Sequence, residues 1–189
     1  MPPVIGTIVA ANLAALLVEM MATDAVLRSF ALWPLRGGFE PWQLVTYAFL
    51  HANGLHIALN MYGLWMFGRD VEQLLGPRRF LALYFASVLC AGVTQLVVAA
   101  LSADPYPTIG ASGGVFGVLL AFALLFPNRI IMLLFPPVAL PAKLLVALFA
   151  ALELTLGVTG SAAGVAHFAH LGGMLGGYLV IRRQRRSDG

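Results

Sequence analysis

One hydroxyl stands among four glycines at the start of an apolar run, in Gly110-Ala111-Ser112-Gly113-Gly114-Val115-Phe116-Gly117. The run continues to Phe126, and inside a bilayer only protein or a cavity can give a serine hydroxyl a hydrogen-bond partner. If a helix starts near Ile109, Ser112 falls in its first turn, where backbone N–H groups have no intrahelical acceptor and the macrodipole is positive. Attack on a carbonyl needs a nucleophile and a place for the oxyanion, and this stretch offers both. The same glycines would also serve tight helix packing, so the chemistry depends on a base. The histidines are His51, His56, His167 and His170. His56 and Asn60 are four residues apart and share one helix face, presenting two side-chain donors that could complete an oxyanion hole with the Ser112 N–H.

These residues must be positioned by membrane helices. Of 189 residues, 60% are hydrophobic and 10% charged, far below the usual quarter of charged residues in soluble domains. The fold class expected is all-α, a polytopic bundle of six transmembrane helices forming one membrane domain over 1–189. Runs of the required 17 to 25 residues are Val4–Met21, Trp42–Phe67, Phe80–Leu101, Ile109–Phe126, Pro141–Val158 and Val165–Ile181. The first run has no basic residue before it and no evident cleavage pattern after it, so it is expected to be retained as a span. Ile130–Leu140 is apolar but interrupted by Pro136 and Pro137, with Pro141 following, and reads as an interfacial or re-entrant loop. A single cysteine, Cys90, excludes an intrachain disulfide and a cysteine-based zinc cluster.

The net charge of +3 lies in loops and tail rather than along a helix face, so nucleic acid is not an expected partner and topology is the purpose of the charge. With six spans, Arg69, Arg78, Arg79, Arg129, Lys143, Arg182, Arg183, Arg185 and Arg186 share the side of both termini, against Arg28 and Arg36 opposite. The termini and the basic tail 182–189 are therefore expected in the cytoplasm. The connection from Ala22 to Pro41, with Trp33, Pro34 and Phe39, and Trp42 just beyond, suits a structured external element in the interface. Spans two, four and six then run the same way, and His56, Ser112 and His170 can share one depth. Small residues, Gly113 and Gly117 on span four and Gly172, Gly173, Gly176 and Gly177 on span six, allow spans four and six to approach.

Taken together the chain resembles the rhomboid intramembrane serine proteases. Gly110-x-Ser112-Gly113 is similar to the family's GxSG motif, His56-x-x-x-Asn60 to its HxxxN pair, and Ala169-His170-x-x-Gly173-x-x-x-Gly177 to its final-helix AHxxGxxxG. Gly68-x-x-x-Glu72-x-x-x-Gly76 resembles its structural loop motif, with Glu72 expected to pair with Arg69 or Arg78. The resemblance implies a Ser112 nucleophile, a His170 general base, and an oxyanion site from His56, Asn60 and the Ser112 N–H, supported by Gly110, Gly113, Phe116 and Gly173. It implies cleavage of transmembrane protein substrates within the lipid bilayer, with no cofactor or metal. The membrane expected is a bacterial inner membrane; oligomeric state is not legible.

Phe116 stands where some family members carry a tyrosine packed on the catalytic imidazole, and the ring is expected to stack without its hydroxyl. His167 is a second histidine one turn before His170, and the glycine register selects His170. No aspartate lies in spans two, four or six, so a Ser-His dyad is expected. Glu153, the acid well inside span five, is expected about 18 Å along it, near the depth of His170 but facing the bundle near span two rather than acting as a third triad member. Two other classes compete with this reading: a non-proteolytic binder of transmembrane segments, which would not need both Ser112 and His170, and a metal or haem site on the four histidines, which leaves the serine-glycine stretch unexplained.

Overall fold

The computed structural model describes residues 1–102, 106–132, 137–161 and 165–187. Among the described residues the long helices are α1 (Pro3–Met21), α4 (Gly54–Leu75), α5 (Pro77–Leu101), α6 (Ser112–Leu125), α7 (Ala142–Thr159) and α8 (His167–Ser187). The short helices α2 (Thr23–Phe30) and α3 (Gln43–Thr46) lie between α1 and α4. Each expected span corresponds to one long helix. By length and hydropathy α1, α5 and α7 are able to cross a membrane, and leucines and valines left exposed on them, such as Leu17, Val93, Val97, Leu148 and Leu152, suit a lipid-facing surface. This is an integral membrane protein of the all-α class.

The second span starts later than the apolar run implies. Residues 47–49 form a 3-10 turn after α3, and the backbone is extended at Asn53, whose side chain accepts the His56 N–H at 2.9 Å and starts α4. His51 therefore lies in the connection before the helix. At the far end, Gly76 adopts φ +79°, a conformation glycine reaches without a Cβ clash, and Pro77 opens α5 at once. The expected Glu72 pairing with arginine is replaced by another role. Its carboxylate accepts the N–H groups of Val4 and Ile5 at 2.9 and 3.0 Å, capping first-turn donors of α1 that no intrahelical carbonyl reaches. Gly68 completes that junction by leaving room for Ile5 and the Phe80 ring.

Ile130–Met132 (β1) and Ala139–Pro141 (β2) pair antiparallel in the register Ile130↔Pro141, Ile131↔Leu140, Met132↔Ala139. The expected interfacial loop is thus a small hairpin at its two ends, and its middle, residues 133–136, lies outside the described residues. At the C-terminus α8 continues through the basic residues to Ser187, so the expected tail is helical, and Arg185 donates to the Leu124 carbonyl at the end of α6 at 2.7 Å.

Helix α6 has 14 residues, about 21 Å at 1.5 Å per residue, against a hydrocarbon core of about 30 Å. Such a helix cannot span alone, and non-helical backbone before it must make up the difference. Backbone of that kind is tolerated at membrane depth only where protein satisfies its polar groups. Here the Thr108 N–H and carbonyl exchange 2.9 Å bonds with Leu32, and the Gly110 N–H donates to the Tyr47 carbonyl at 2.9 Å. The connection between α1 and α4 is held in turn by Gln43, nearly fully buried, whose amide oxygen accepts the N–H groups of Trp33 and Glu40.

Glycine decides which helices touch α6. A Cβ on Gly173 or Gly177 would collide with the Gly113 or Gly117 backbone, so α6 and α8 are parallel and in backbone contact. Gly172 and Gly176 do not join that contact. They face α5, against Thr94 and Cys90 and against Ala86 and Ser87, so the four glycines of α8 serve two neighbours rather than one. On the other side of α6, Gly63 of α4 lies against Val115 and Phe67 packs edge-on to Phe122, which makes α4 parallel to α6 as well.

Candidate active site

Ser112 is the first residue of α6. The N–H groups of Ser112, Gly113 and Gly114 therefore have no carbonyl one turn earlier in the helix, and the positive end of the macrodipole surrounds the hydroxyl. The α6 and α8 contact at Gly113 and Gly173 fixes what faces it: His170 lies one turn before Gly173, and its Nε2 is 2.8 Å from Ser112 Oγ. The Phe116 ring stacks on the His170 imidazole with centroids 4.3 Å apart and planes 2° from parallel, the stacking expected for a phenylalanine at that position. His170 is 9% exposed and Ser112 half-buried, so the pair is screened from bulk solvent but reachable.

Reach is provided by a cavity of about 470 Å³ that Ser112 and His170 line with His56, Asn60, Gly110, Tyr106 and residues of the two adjacent connections. Gly110 governs its shape. Its φ is +124°, and a Cβ there would lie 2.8 Å from His56 Cε1 and Nε2 and 3.8 Å from Ser112 Oγ, so the missing side chain is the space the two groups share. His56 Nδ1 faces the Ala52 backbone N–H at 3.4 Å. An Nδ1 that accepts leaves the proton on Nε2, which makes His56 Nε2 a donor toward the Ser112 side. Asn60 is buried and gives one amide hydrogen to the His56 carbonyl at 3.0 Å, keeping a second. Ser112, His170, His56, Asn60, Gly110, Gly113 and Phe116 line this one cavity, and Gly173 lies behind it against the Gly113 backbone. His51 is stacked edge-on behind His56 at 5.0 Å and does not line the cavity.

The rhomboid domain profile matches residues 38–186. The chain belongs to the rhomboid family. Its curated relatives include the yeast mitochondrial Rhomboid protein 1, 36% identical over 145 residues that cover 72% of this chain and 40% of the yeast protein. Rhomboid protease GluP of Bacillus subtilis is 33% identical over 142 residues, 75% of this chain and 25% of GluP. The putative rhomboid protease YdcA of the same bacterium is 29% identical over 150 residues, 78% of this chain and 71% of YdcA. The chain spans well under half the length of the first two. Within this rhomboid fold the profile begins after α2, so α1 and α2 stand outside the match while every cavity residue named above lies within it.

One group near the site departs from its expected place beside span two. Glu153 does not face α4 among its described partners; α7 packs on α8 and α6. Its Oε2 lies 2.6 Å from His167 Nδ1 and 2.9 Å from His170 Nδ1. Gly157, one turn further along α7, permits this approach, since a Cβ there would meet the Phe168 ring at 3.0 Å and His167 Cβ at 3.3 Å. The available signal was the pairing of a lone intraspan acid with an extra histidine one turn from His170, but nothing in either run states which helices are neighbours.

Proposed function

We propose that this chain is an intramembrane serine endopeptidase that cleaves transmembrane segments of other membrane proteins, with Ser112 as nucleophile and His170 as general base. The observation that carries the reading is the 2.8 Å contact between His170 Nε2 and Ser112 Oγ at a helix N-terminus that opens into a cavity. His170 Nε2 takes the Ser112 proton as Oγ attacks the scissile carbonyl, and the tetrahedral oxyanion forms beside the Ser112 N–H, His56 Nε2–H and the second Asn60 amide hydrogen. His170 then returns the proton to the leaving amine as the C–N bond breaks. Water enters next and gives a proton to His170 as its oxygen attacks the acyl carbon; the bond to Ser112 Oγ then breaks, and His170 returns the proton to Oγ. Phe116 holds the imidazole plane through both half-reactions by stacking.

The substrate backbone must be extended at the cut, because a helical carbonyl is shielded by its own side chains and hydrogen bonds. Segments with Gly, Ala or Ser at the cut and helix-breaking residues after it meet that requirement. We read 1–189 as one membrane domain with cytoplasmic termini. The likeness to both bacterial and mitochondrial relatives supports a membrane-embedded enzyme without choosing between those compartments. The test is cleavage of a single-span substrate in liposomes by the wild type and by Ser112→Ala, together with labelling by a fluorophosphonate. The wild type is expected to cleave and label, and Ser112→Ala to do neither. Binding of the substrate segment without cleavage or labelling would overturn the protease reading in favour of a non-proteolytic binder.

A further inference from the structure

We infer that Glu153 is a positioning residue for His170, so that the site works as a Ser112–His170–Glu153 triad rather than a dyad; the inference rests on the protease reading above. For His170 Nε2 to accept the serine proton, the imidazole must be the tautomer that carries its hydrogen on Nδ1. That hydrogen needs an acceptor within the protein, because Nδ1 is the buried side of the ring, away from the cavity solvent. The group found against His170 Nδ1 is the Glu153 carboxylate, 2.9 Å away, and both residues are less than a tenth exposed. The contact lies off the line of a well-formed hydrogen bond, a looseness common before substrate binds, whereas the 2.6 Å bond to His167 Nδ1 is well aligned. His167 thus fixes the carboxylate from one side while the same oxygen serves His170 from the other. With both rings carrying their hydrogen on Nδ1, Oε2 accepts from the two at once, and the ionised carboxylate is the stronger acceptor for them. During acylation the proton from Ser112 rests on His170 Nε2, the Nδ1–H stays on the ring, and the Glu153 charge opposes the imidazolium without taking a proton.

The same three side chains come close enough to be read as metal ligands. Their spacing argues otherwise. Two ligand atoms on a tetrahedral ion with bonds of about 2.0 to 2.1 Å stand roughly 3.3 Å apart, and the 2.6 Å separation of Glu153 Oε2 and His167 Nδ1 is that of a shared hydrogen.

Glu153→Gln keeps the shape and removes the charge, and Glu153→Asp keeps the charge on a shorter stem. Both are compared with wild type and Ser112→Ala in liposomes for kcat and KM, and in detergent for the rate of fluorophosphonate labelling and the thermal midpoint. A triad predicts that Glu153→Gln lowers kcat and the labelling rate by about 100-fold or more, with KM within about twofold and an unchanged melting profile, and that Glu153→Asp recovers part of the rate. A Glu153→Gln protein whose kcat and labelling rate stay within about threefold of wild type would overturn the inference, as would a loss that follows thermal stability in both variants. If Glu153→Gln does not fold, Glu153→Ala decides in its place: a kcat and labelling rate lower by about 100-fold or more at constant KM and stability supports the triad, and a rate within about threefold of wild type overturns it. A wild type that neither cleaves nor labels would instead refute the protease reading itself, and the triad with it.

Discussion

Substituting Gly173 by alanine tests whether the backbone contact of α6 and α8 sets the Ser112–His170 distance. The added Cβ would stand 2.8 Å from the Gly113 carbonyl carbon and closer still to its oxygen, where carbon atoms rest at about 3.5 to 4.0 Å, so the helices must part by roughly 1 Å. No flexible side chain can yield, because the opposing atoms are backbone. Overpacking of this kind costs about 1 to 3 kcal/mol of stability. Parting the helices carries His170 away from Ser112, stretching the present 2.8 Å contact beyond the 3.0 Å typical upper limit for a hydroxyl hydrogen bond. A 1 Å misplacement can cost about 100-fold in rate, or roughly 2.7 kcal/mol. Fluorophosphonate labelling of Ser112 reads this directly without a protein substrate, and Gly173→Ala is expected to label about 100-fold more slowly than wild type. Gly54→Ala is the control, since a Cβ there meets nothing within 4 Å, and it should label within about threefold of wild type. Wild-type labelling by Gly173→Ala at an unchanged melting temperature would refute the reasoning, because the helices would then have absorbed the methyl group without moving the site.

Three further outcomes follow from the same geometry. His170→Ala should abolish cleavage in a folded protein, whereas His167→Ala, which leaves the Ser112–His170 pair in place, should retain measurable turnover; the reverse pattern in a liposome assay would move the base to His167. His56→Ala and Asn60→Ala should each lower kcat by about 100- to 1000-fold, the effect of removing one oxyanion donor, and two wild-type rates would dismiss the pair from that role. Glu72→Ala removes the acceptor of two α1 N–H groups, at about 1 to 3 kcal/mol for each donor left unpaired, and should lower the thermal midpoint in detergent; an unchanged midpoint would mean that α1 finds another cap.

Much of the site was legible because its chemistry is local in sequence. Ser112 in the first turn of a helix, His56 and Asn60 one turn apart, and His170 one turn before Gly173 are statements about spacing, and a helix converts spacing into direction by itself. The glycine register likewise announced that α6 and α8 would touch, since the collision between a Cβ and a facing carbonyl needs only the two small-residue stripes to be recognised. Hydropathy located the long helices of the described residues, for a bilayer demands long apolar segments with internally satisfied backbones. It misjudged the start of the second because Trp42–Phe49 is as apolar as a span, while the break is made by the Asn53 cap and by the bonds that tie Gln43 and Tyr47 to distant loops.

What the tertiary structure alone decided is lateral: which helix stands beside which, and on which face. Periodicity records that a side is apolar or small but not the identity of its neighbour, so Gly172 and Gly176 could not be distinguished from Gly173 and Gly177 until α5 was seen to fill the other groove. Glu72 read as a partner for arginine because charge attracts charge along a chain, yet the donors it satisfies lie 67 and 68 residues away in α1. Glu153 shows the same limit at the site itself. Its depth followed from counting along α7, but depth is one coordinate of three, and only packing of α7 against α8, allowed by Gly157, brings its carboxylate to two imidazoles.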